Sequence, residues 1–263
     1  MMELDGVPVA TSDLGALALV NYGHFTSMRI EGGRVRGLDL HLSRLFDDSR
    51  RIFGVNLDID RVRALVRKAA REVRRPVTMR VTVFDPDLNL GHPAGDAHPR
   101  VLITLRPAPI EAAPPIKLRT IRYERDLPEV KHTGLFGTVY QRRAAQEAGF
   151  DDVLFVGFDG FVTEGATWNI GFVSNGRVSW PAADCLPGVT MRLLSAAMER
   201  AGIEVQRETI ALSQLAGVRA AFITNAAVGV RAVQSIDGVE LGDGTGFVDR
   251  LRKEYAAIEW QSL

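Results

Sequence analysis

The sequence predicts an α+β chain of two lobes, the second built on a mixed sheet or partly closed barrel. Three observations predict it. Two segments with helical spacing precede two strand-like runs in the N-terminal part. Asp159-Gly160 and Asn175-Gly176 each sit between apolar and β-branched runs, a strong local hairpin signal. Between the halves lies RPAPIEAAPPIK, Arg106 to Lys117, too apolar for a disordered tail and suited to an extended connector. The expected division is a small lobe at 1–106, a connector at 107–116 and a larger lobe at 117–263.

In the first lobe, HLSRLFDDSRRIFG sets Leu42, Leu45, Phe46, Ile52 and Phe53 at helical spacing, with Gly54 as a stop. A second helix fits Asp60 to Val73, with Val62, Leu65, Val66, Ala69 and Val73 on one face. TMRVTVF and RVLITLR read as strands, joined by the long polar loop DPDLNLGHPAGDAHP, and such loops are often functional or mobile. The second lobe opens with the strand IKLRTIR, followed by a helix around Val139 to Ala148 and the two hairpins. LPGVTMRLLSAAMERAG is a helix stopped by Gly202, and IEVQRE and AAFITN are strands.

Composition narrows the function. The 263 residues are 46% hydrophobic, enough for a large core, and Lys plus Arg equals Asp plus Glu at 32 each. A chain without basic excess is not expected to bind nucleic acid. The single cysteine, Cys185, excludes an intrachain disulfide and a cysteine-based metal cluster, and it reads as a small structural residue. No signal peptide and no bilayer-spanning run is visible, so a soluble cytoplasmic protein is expected.

Several residues could carry chemistry. In LPGVT, Pro187 and Gly188 turn the chain, and the amides of Val189 and Thr190 fall in the first turn of a helix. There the unpaired N–H groups and the helix dipole favour an anion such as phosphate. Thr224 and Asn225 end a strand in a turn of small residues, and Arg44 on the HLSRL helix offers a positive charge. Singly, each is also explained as a helix cap or a surface arginine; together they would form a phosphate cup. Lys131, in PEVKHTG, is either a solvated charge or an amine able to form a Schiff base. Glu164, in DGFVTEGATWNI, is a carboxylate within a hairpin strand, where burial without a partner costs several kcal/mol.

The order HLSRL, KHTG, AAQEAGFDDVLFVGFDGFVTEGATWNIGFV, LPGVTMRLL and ITNAAVGV resembles the fold-type IV, or class IV aminotransferase, family of pyridoxal-phosphate enzymes. That family includes branched-chain and D-amino-acid aminotransferases and 4-amino-4-deoxychorismate lyase. The resemblance runs from about Gly6 to Asp237 and is most specific in its second half. It implies pyridoxal 5'-phosphate as cofactor, held as an internal aldimine by Lys131. Glu164 would face the pyridine nitrogen, its charge matched by the protonated ring. Arg44, Val189, Thr190, Thr224 and Asn225 would hold the phosphate. It also implies a homodimer.

The chain departs from the family pattern near its N-terminus. VNYGHFTSMR carries Phe25 and Thr26 where common members have an aromatic-acid pair, a wording closer to the deoxychorismate lyases, as is Lys131-His132. Phe136 stands where branched-chain enzymes often have a tyrosine, and VTVFDP lacks the carboxylate-binding arginine of D-amino-acid enzymes. Arg80 shares a strand face with Thr78 and Thr82 and matches a substrate-binding arginine of branched-chain enzymes. Tyr22, His24, Thr26 and Arg80 are therefore the substrate-side candidates. The expected activity is transfer of an amino group between an amino acid or amine and a 2-keto acid. The alternatives are a lyase of the deoxychorismate type and a cofactor-binding protein without catalysis.

Overall fold

The structure is a computed structural model that describes residues 1–109, 113–242 and 245–263. Backbone contacts divide it into two compact units, one of Met1–Ile110 with Val130–Gly134 and Glu259–Leu263, the other of Glu111–Glu129 with Leu135–Ile258. Two segments that the sequence reading assigns to the second lobe, 130–134 and 259–263, thus group with the first unit. The expected connector at 107–116 includes residues 110–112, which lie outside the described residues.

The first unit contains β1 (Met2–Leu4), β2 (Val7–Pro8), α1 (Gly15–Leu19), β3 (Gly23–Ile30), β4 (Arg34–Val35), α2 (Leu38–Phe53), α3 (Ile59–Ala70), β5 (Val77–Phe84) and β6 (Arg100–Pro107). Its main sheet runs β2-β1-β6-β5-β3 and is antiparallel throughout. Period-two alternation gives the sheet one apolar face. Met28, Ile30, Met79, Val81, Val83, Val101 and Ile103 pack there against Leu38, Leu42 and Leu45 of α2 and Val62, Val66 and Ala69 of α3. Both helices were expected. α2 starts earlier than its periodic run, on a left-handed Gly37, and ends as predicted at a left-handed Gly54 (φ 69° at both). α3 is capped by the Asp58 carboxylate, which accepts the Arg61 amide at 2.9 Å.

β3 adds to the expected elements. Its polar residues GHFTSMRI mask the strand pattern, yet it pairs with β5 along its whole length. Its other edge takes the 130–134 segment: the Phe25 amide donates to the Lys131 carbonyl at 2.9 Å, Thr133 donates to Gly23 at 2.8 Å, and His24 and His132 form an antiparallel bridge. At the base of the polar loop, the Asp85 carboxylate accepts the amides of Asp87 (2.9 Å) and His98 (2.8 Å).

The second unit contains β7 (Ile116–Arg122), α4 (Phe136–Glu147), β8 (Asp152–Val156), β9 (Val162–Gly165), β10 (Asn169–Ser174), β11 (Arg177–Pro181), α5 (Val189–Arg200), β12 (Val205–Glu208), β13 (Ala220–Asn225), β14 (Gly229–Ile236), β15 (Val239–Glu240) and α6 (Thr245–Ala256). The strands run β12-β11-β10-β13-β14-β7-β8-β9, with β15 paired to β14. β7 is parallel to both β14 and β8, and β12 is parallel to β11, so the sheet is mixed. It also curls. The Val162 amide on the outer edge of β9 donates to Ile210 at 2.8 Å, and Phe161 bridges Ala211 in the segment following β12. The near-closed sheet surrounds Leu118, Leu154, Trp168, Ile170 and Ile223, while α5 and α6 cover the outer side through Leu194, Met198, Val248 and Leu251. This is the predicted α+β class with a partly closed barrel.

Both hairpins form, with different turns. Asn175 (φ 51°) and Gly176 (φ 79°) are both left-handed, as a two-residue primed turn requires. At Asp159-Gly160 only the glycine is left-handed, and the Asp159 carboxylate accepts the Phe161 amide at 3.0 Å, giving a longer loop from Gly157 to Phe161. Among the described residues, no helix is long and apolar enough to cross a membrane.

Candidate active site

In the first unit the candidates are sorted by the alternation of β3. His24 and Thr26 turn to α2, where Thr26 Oγ1 lies 2.7 Å from His41 Nδ1 and His24 Nε2 lies 2.8 Å from Ser49 Oγ. Burial holds both imidazoles neutral, pushing each down to about 3; at His41 the charges of Arg44 and Lys131 add to the effect. Phe25 faces the opposite way. The β3–β5 register sets Phe25 against Thr82 and Ser27 against Arg80, so these share one face.

Arg80 Cζ lies 3.6 Å from the Phe25 ring centroid, and Lys131 Nζ lies 4.9 Å from the same centroid. Arg80 also donates from Nε to Thr82 Oγ1 at 3.1 Å, and burial, with help from Arg106, pulls its guanidinium down to about 10. Tyr22 is exposed, its hydroxyl donating to the Ile52 carbonyl at 2.7 Å. Of the substrate-side candidates, then, Arg80 meets the aromatic ring that Lys131 meets. His24 Nε2 and the Thr26 and Tyr22 hydroxyls are engaged on α2. Lys131 is itself set apart: Lys68, Lys117 and Lys253 are exposed, whereas Lys131 is half-buried.

The second unit gathers a different set. Glu164 on β9 is 5% exposed, and its Oε1 accepts from Arg125 Nε at 2.8 Å. Arg125 also donates to the Pro128 carbonyl. Sequence reasoning missed Arg125, although RDLPEVK places it close to Lys131 in the chain. Glu164 Oε2 accepts the Leu186 amide at 3.2 Å, which ties the carboxylate to the turn leading into α5. Asn169, also missed, donates to the Leu186 carbonyl at 2.7 Å from the start of β10. Thr224 stands opposite Asn169 in the β10–β13 ladder. Hydrogen bonds and register therefore join Glu164, Thr224 and the turn carrying Val189 and Thr190. A Cβ on Gly188 would lie 2.0 Å from Asn169 Oδ1, so any larger residue there would force Asn169 to shift.

The arrangement suits an anion. The amides of Val189 and Thr190 open a twelve-residue helix whose N-cap, Gly188, offers no side-chain acceptor. Thr224 Oγ1 is buried without a hydrogen-bond partner. Asn225 behaves otherwise: its Oδ1 accepts the amides of Ala227 and Val228, both at 2.9 Å, and its Nδ2 donates to Thr167 at 3.3 Å, so it braces its own turn. Cys185 is half-buried, and burial followed by the Glu164 charge pushes its thiol up to about 11, as befits an inert residue. A cleft of about 460 Å³ beside Arg125 and Glu164 is lined by Tyr123, Glu124, Asp159 and Asp184, and none of the phosphate candidates lines it.

Two α+β units, one carrying a curled mixed sheet, form the fold of known aminotransferases. The branched-chain amino acid aminotransferase of Escherichia coli superposes with a TM-score of 0.84 at 21% identity, over 96% of this chain and 91% of that one. The pyridoxal-phosphate-bound form of a hypothetical aminotransferase from Mycobacterium tuberculosis gives 0.82 at 17% identity, over 98% and 99%. A probable branched-chain-amino-acid aminotransferase of Rickettsia felis is 32% identical over 127 residues, 46% of this chain and 43% of that protein, so the match spans less than half of that relative's length. The chain belongs to the class IV aminotransferase family, whose model matches residues 23–236. Pyridoxal 5'-phosphate is the cofactor of that family.

Proposed function

We propose that the protein transfers an amino group between an amino acid or amine and a 2-keto acid, with pyridoxal 5'-phosphate attached to Lys131. The observation that carries this reading is the lysine inventory within a family match: among Lys68, Lys117, Lys131 and Lys253 only Lys131 is sheltered, with Nζ 4.9 Å from the Phe25 ring. The residues present fit the group. A buried, unpartnered Thr224 hydroxyl and the first-turn amides of Val189 and Thr190 suit its phosphate, and the family resemblance adds Arg44 as a further candidate. When bound, the cofactor supplies an electron-accepting ring for the amino-group exchange.

The chain's own residues do the rest. Lys131 Nζ would hold the cofactor and would move a proton at the substrate Cα. Glu164 would face the ring nitrogen. Its pairing with Arg125 at 2.8 Å supports an ionised carboxylate. Arg80, beside the same aromatic ring as Lys131, receives a substrate carboxylate. Asn225 serves by bracing its turn. The working form in this reading is a cytoplasmic homodimer, to be checked by mass in solution with the cofactor bound.

A lyase reading draws on the Phe25-Thr26 wording, with Thr26 as proton donor. Burial of that hydroxyl against His41 at 2.7 Å weighs against it. The test is a set of half-reactions with a panel of amino donors. A transaminase converts to the amino form of the cofactor with donor alone and needs a keto acid to turn over. Turnover without any keto acid would establish the lyase. Lys131→Ala should abolish covalent attachment and the bound cofactor's visible band; if both survive, the assignment of Lys131 fails.

A further inference from the structure

Asp48 is a buried carboxylate with no part in the chemistry above. It stands on the inner side of α2, and its Oδ2 accepts the backbone N–H of Lys131 at 3.2 Å. Its surroundings are His24 Nδ1 from β3, at 4.0 Å, the Lys131 charge from the 130–134 segment, and Arg44 and Asp47 from its own helix. His24 cannot serve as its ion-pair partner, being held neutral with Nδ1 buried and lacking a hydrogen-bond partner. Burial pushes the Asp48 carboxyl up to about 6, while the Lys131 amide bond and the Arg44 charge pull it back.

A buried ionisable group held at such a cost calls for a role beyond packing. The lysine's main chain is secured from two directions. β3 takes the Lys131 carbonyl through the Phe25 amide, at 2.9 Å, and α2 takes its amide through Asp48. The segment thus bridges a strand edge and a helix, with Lys131 at the bridge.

We propose that Asp48 is a positioning residue for Lys131, fixing its backbone amide so that the side-chain amine is presented along Phe25. The proposal rests on the reading that Lys131 carries the cofactor. Asp48 accepts the amide; it does not touch substrate or cofactor.

Three forms of the full-length protein test this: wild type, Asp48→Asn, which keeps an oxygen acceptor, and Asp48→Leu, which keeps the volume and loses the acceptor. Two quantities are read: hydrogen exchange of the Lys131 amide without cofactor, and the rate at which added pyridoxal 5'-phosphate becomes covalently attached, followed by borohydride trapping and peptide mapping. Asp48→Leu should speed the exchange and slow the capture by about tenfold each, the scale of one hydrogen bond to a charged acceptor. Asp48→Asn should stay within about twofold of wild type. Wild-type values for Asp48→Leu, or equal impairment of both variants, would overturn the proposal. Should Asp48→Leu fold poorly, the pH profile of Lys131 exchange decides: a change across pH 6 in wild type that is absent in Asp48→Asn supports the role, and identical profiles overturn it. Trapping on a residue other than Lys131 in the wild type sinks the underlying reading, and the proposal with it. Trapping on Lys131 with no Asp48 dependence sinks the proposal alone.

Discussion

Glu164 shows at the scale of one residue how a buried charge is tolerated. With both side chains under 10% exposed, its carboxylate and the Arg125 guanidinium remove each other's desolvation cost at 2.8 Å, and Leu186 supplies a further N–H. The carboxylate stood out in the sequence because a β-branched hairpin strand is an unfavourable place for it. Its partner did not stand out, since arginine in a polar turn is an ordinary surface residue until the fold brings β9 to it. Removing one member should cost far more than removing both. Arg125→Leu is expected to destabilise the protein by about 3–5 kcal/mol, and the double variant with Glu164→Leu to regain a large part of that. Urea unfolding of the two variants measures the difference; a single-variant loss under about 1 kcal/mol would show that the pair is not buried as described.

Among elements, α5 and the turn before it join local signals to tertiary ones. Pro187, Gly188 and the apolar spacing after them announce a helix start, and that start is where the sequence placed it. Hidden from the sequence is the reason for glycine. The left-handed glycines at 54, 176 and 202 answer a backbone need that turn chemistry makes legible, but Gly188 has an ordinary φ of −58° and makes room for the side chain of Asn169, nineteen residues earlier on another element. Likewise β3 is hidden because its polar residues are sheltered by β5, the 130–134 segment and α2 rather than by apolar character of its own. The substrate-side candidates on β3 follow from the family resemblance of VNYGHFTSMR, and only the pairing register reveals that His24 and Thr26 face away from Arg80. Gly188→Ala should displace the turn from Asn169, weaken binding of inorganic phosphate and of the cofactor by at least about tenfold, and lower thermal stability modestly. Isothermal titration with each ligand checks it, and unaltered phosphate affinity would detach this turn from the anion site.

At the scale of the whole molecule, three buried groups of the first unit set the pH response. His24 and His41 have folded values near 3 against an ordinary 6.5, so the stability they contribute is present above pH 6.5 and is lost as pH falls towards 3. Asp48 has the opposite sign: raised from 3.8 to about 6, it contributes stability below 3.8 that disappears as pH rises through 6. Between about pH 6 and 4 the unfolded chain therefore binds two protons, on the imidazoles, that the folded chain refuses, while the folded chain keeps one on Asp48 that the unfolded chain releases. The surplus of one proton in the unfolded state means that unfolding free energy should fall by roughly 1 kcal/mol for each pH unit of acidification. Substitutions predict their own slopes. Asp48→Asn removes the compensating proton and should roughly double the slope. His41→Gln, which keeps a partner for Thr26, should bring it near zero, at the cost of some stability at neutral pH. Denaturant titrations of the three proteins across that window measure all three slopes. Parallel curves would mean that these groups do not carry their protons as the buried positions on α2 and β3 require.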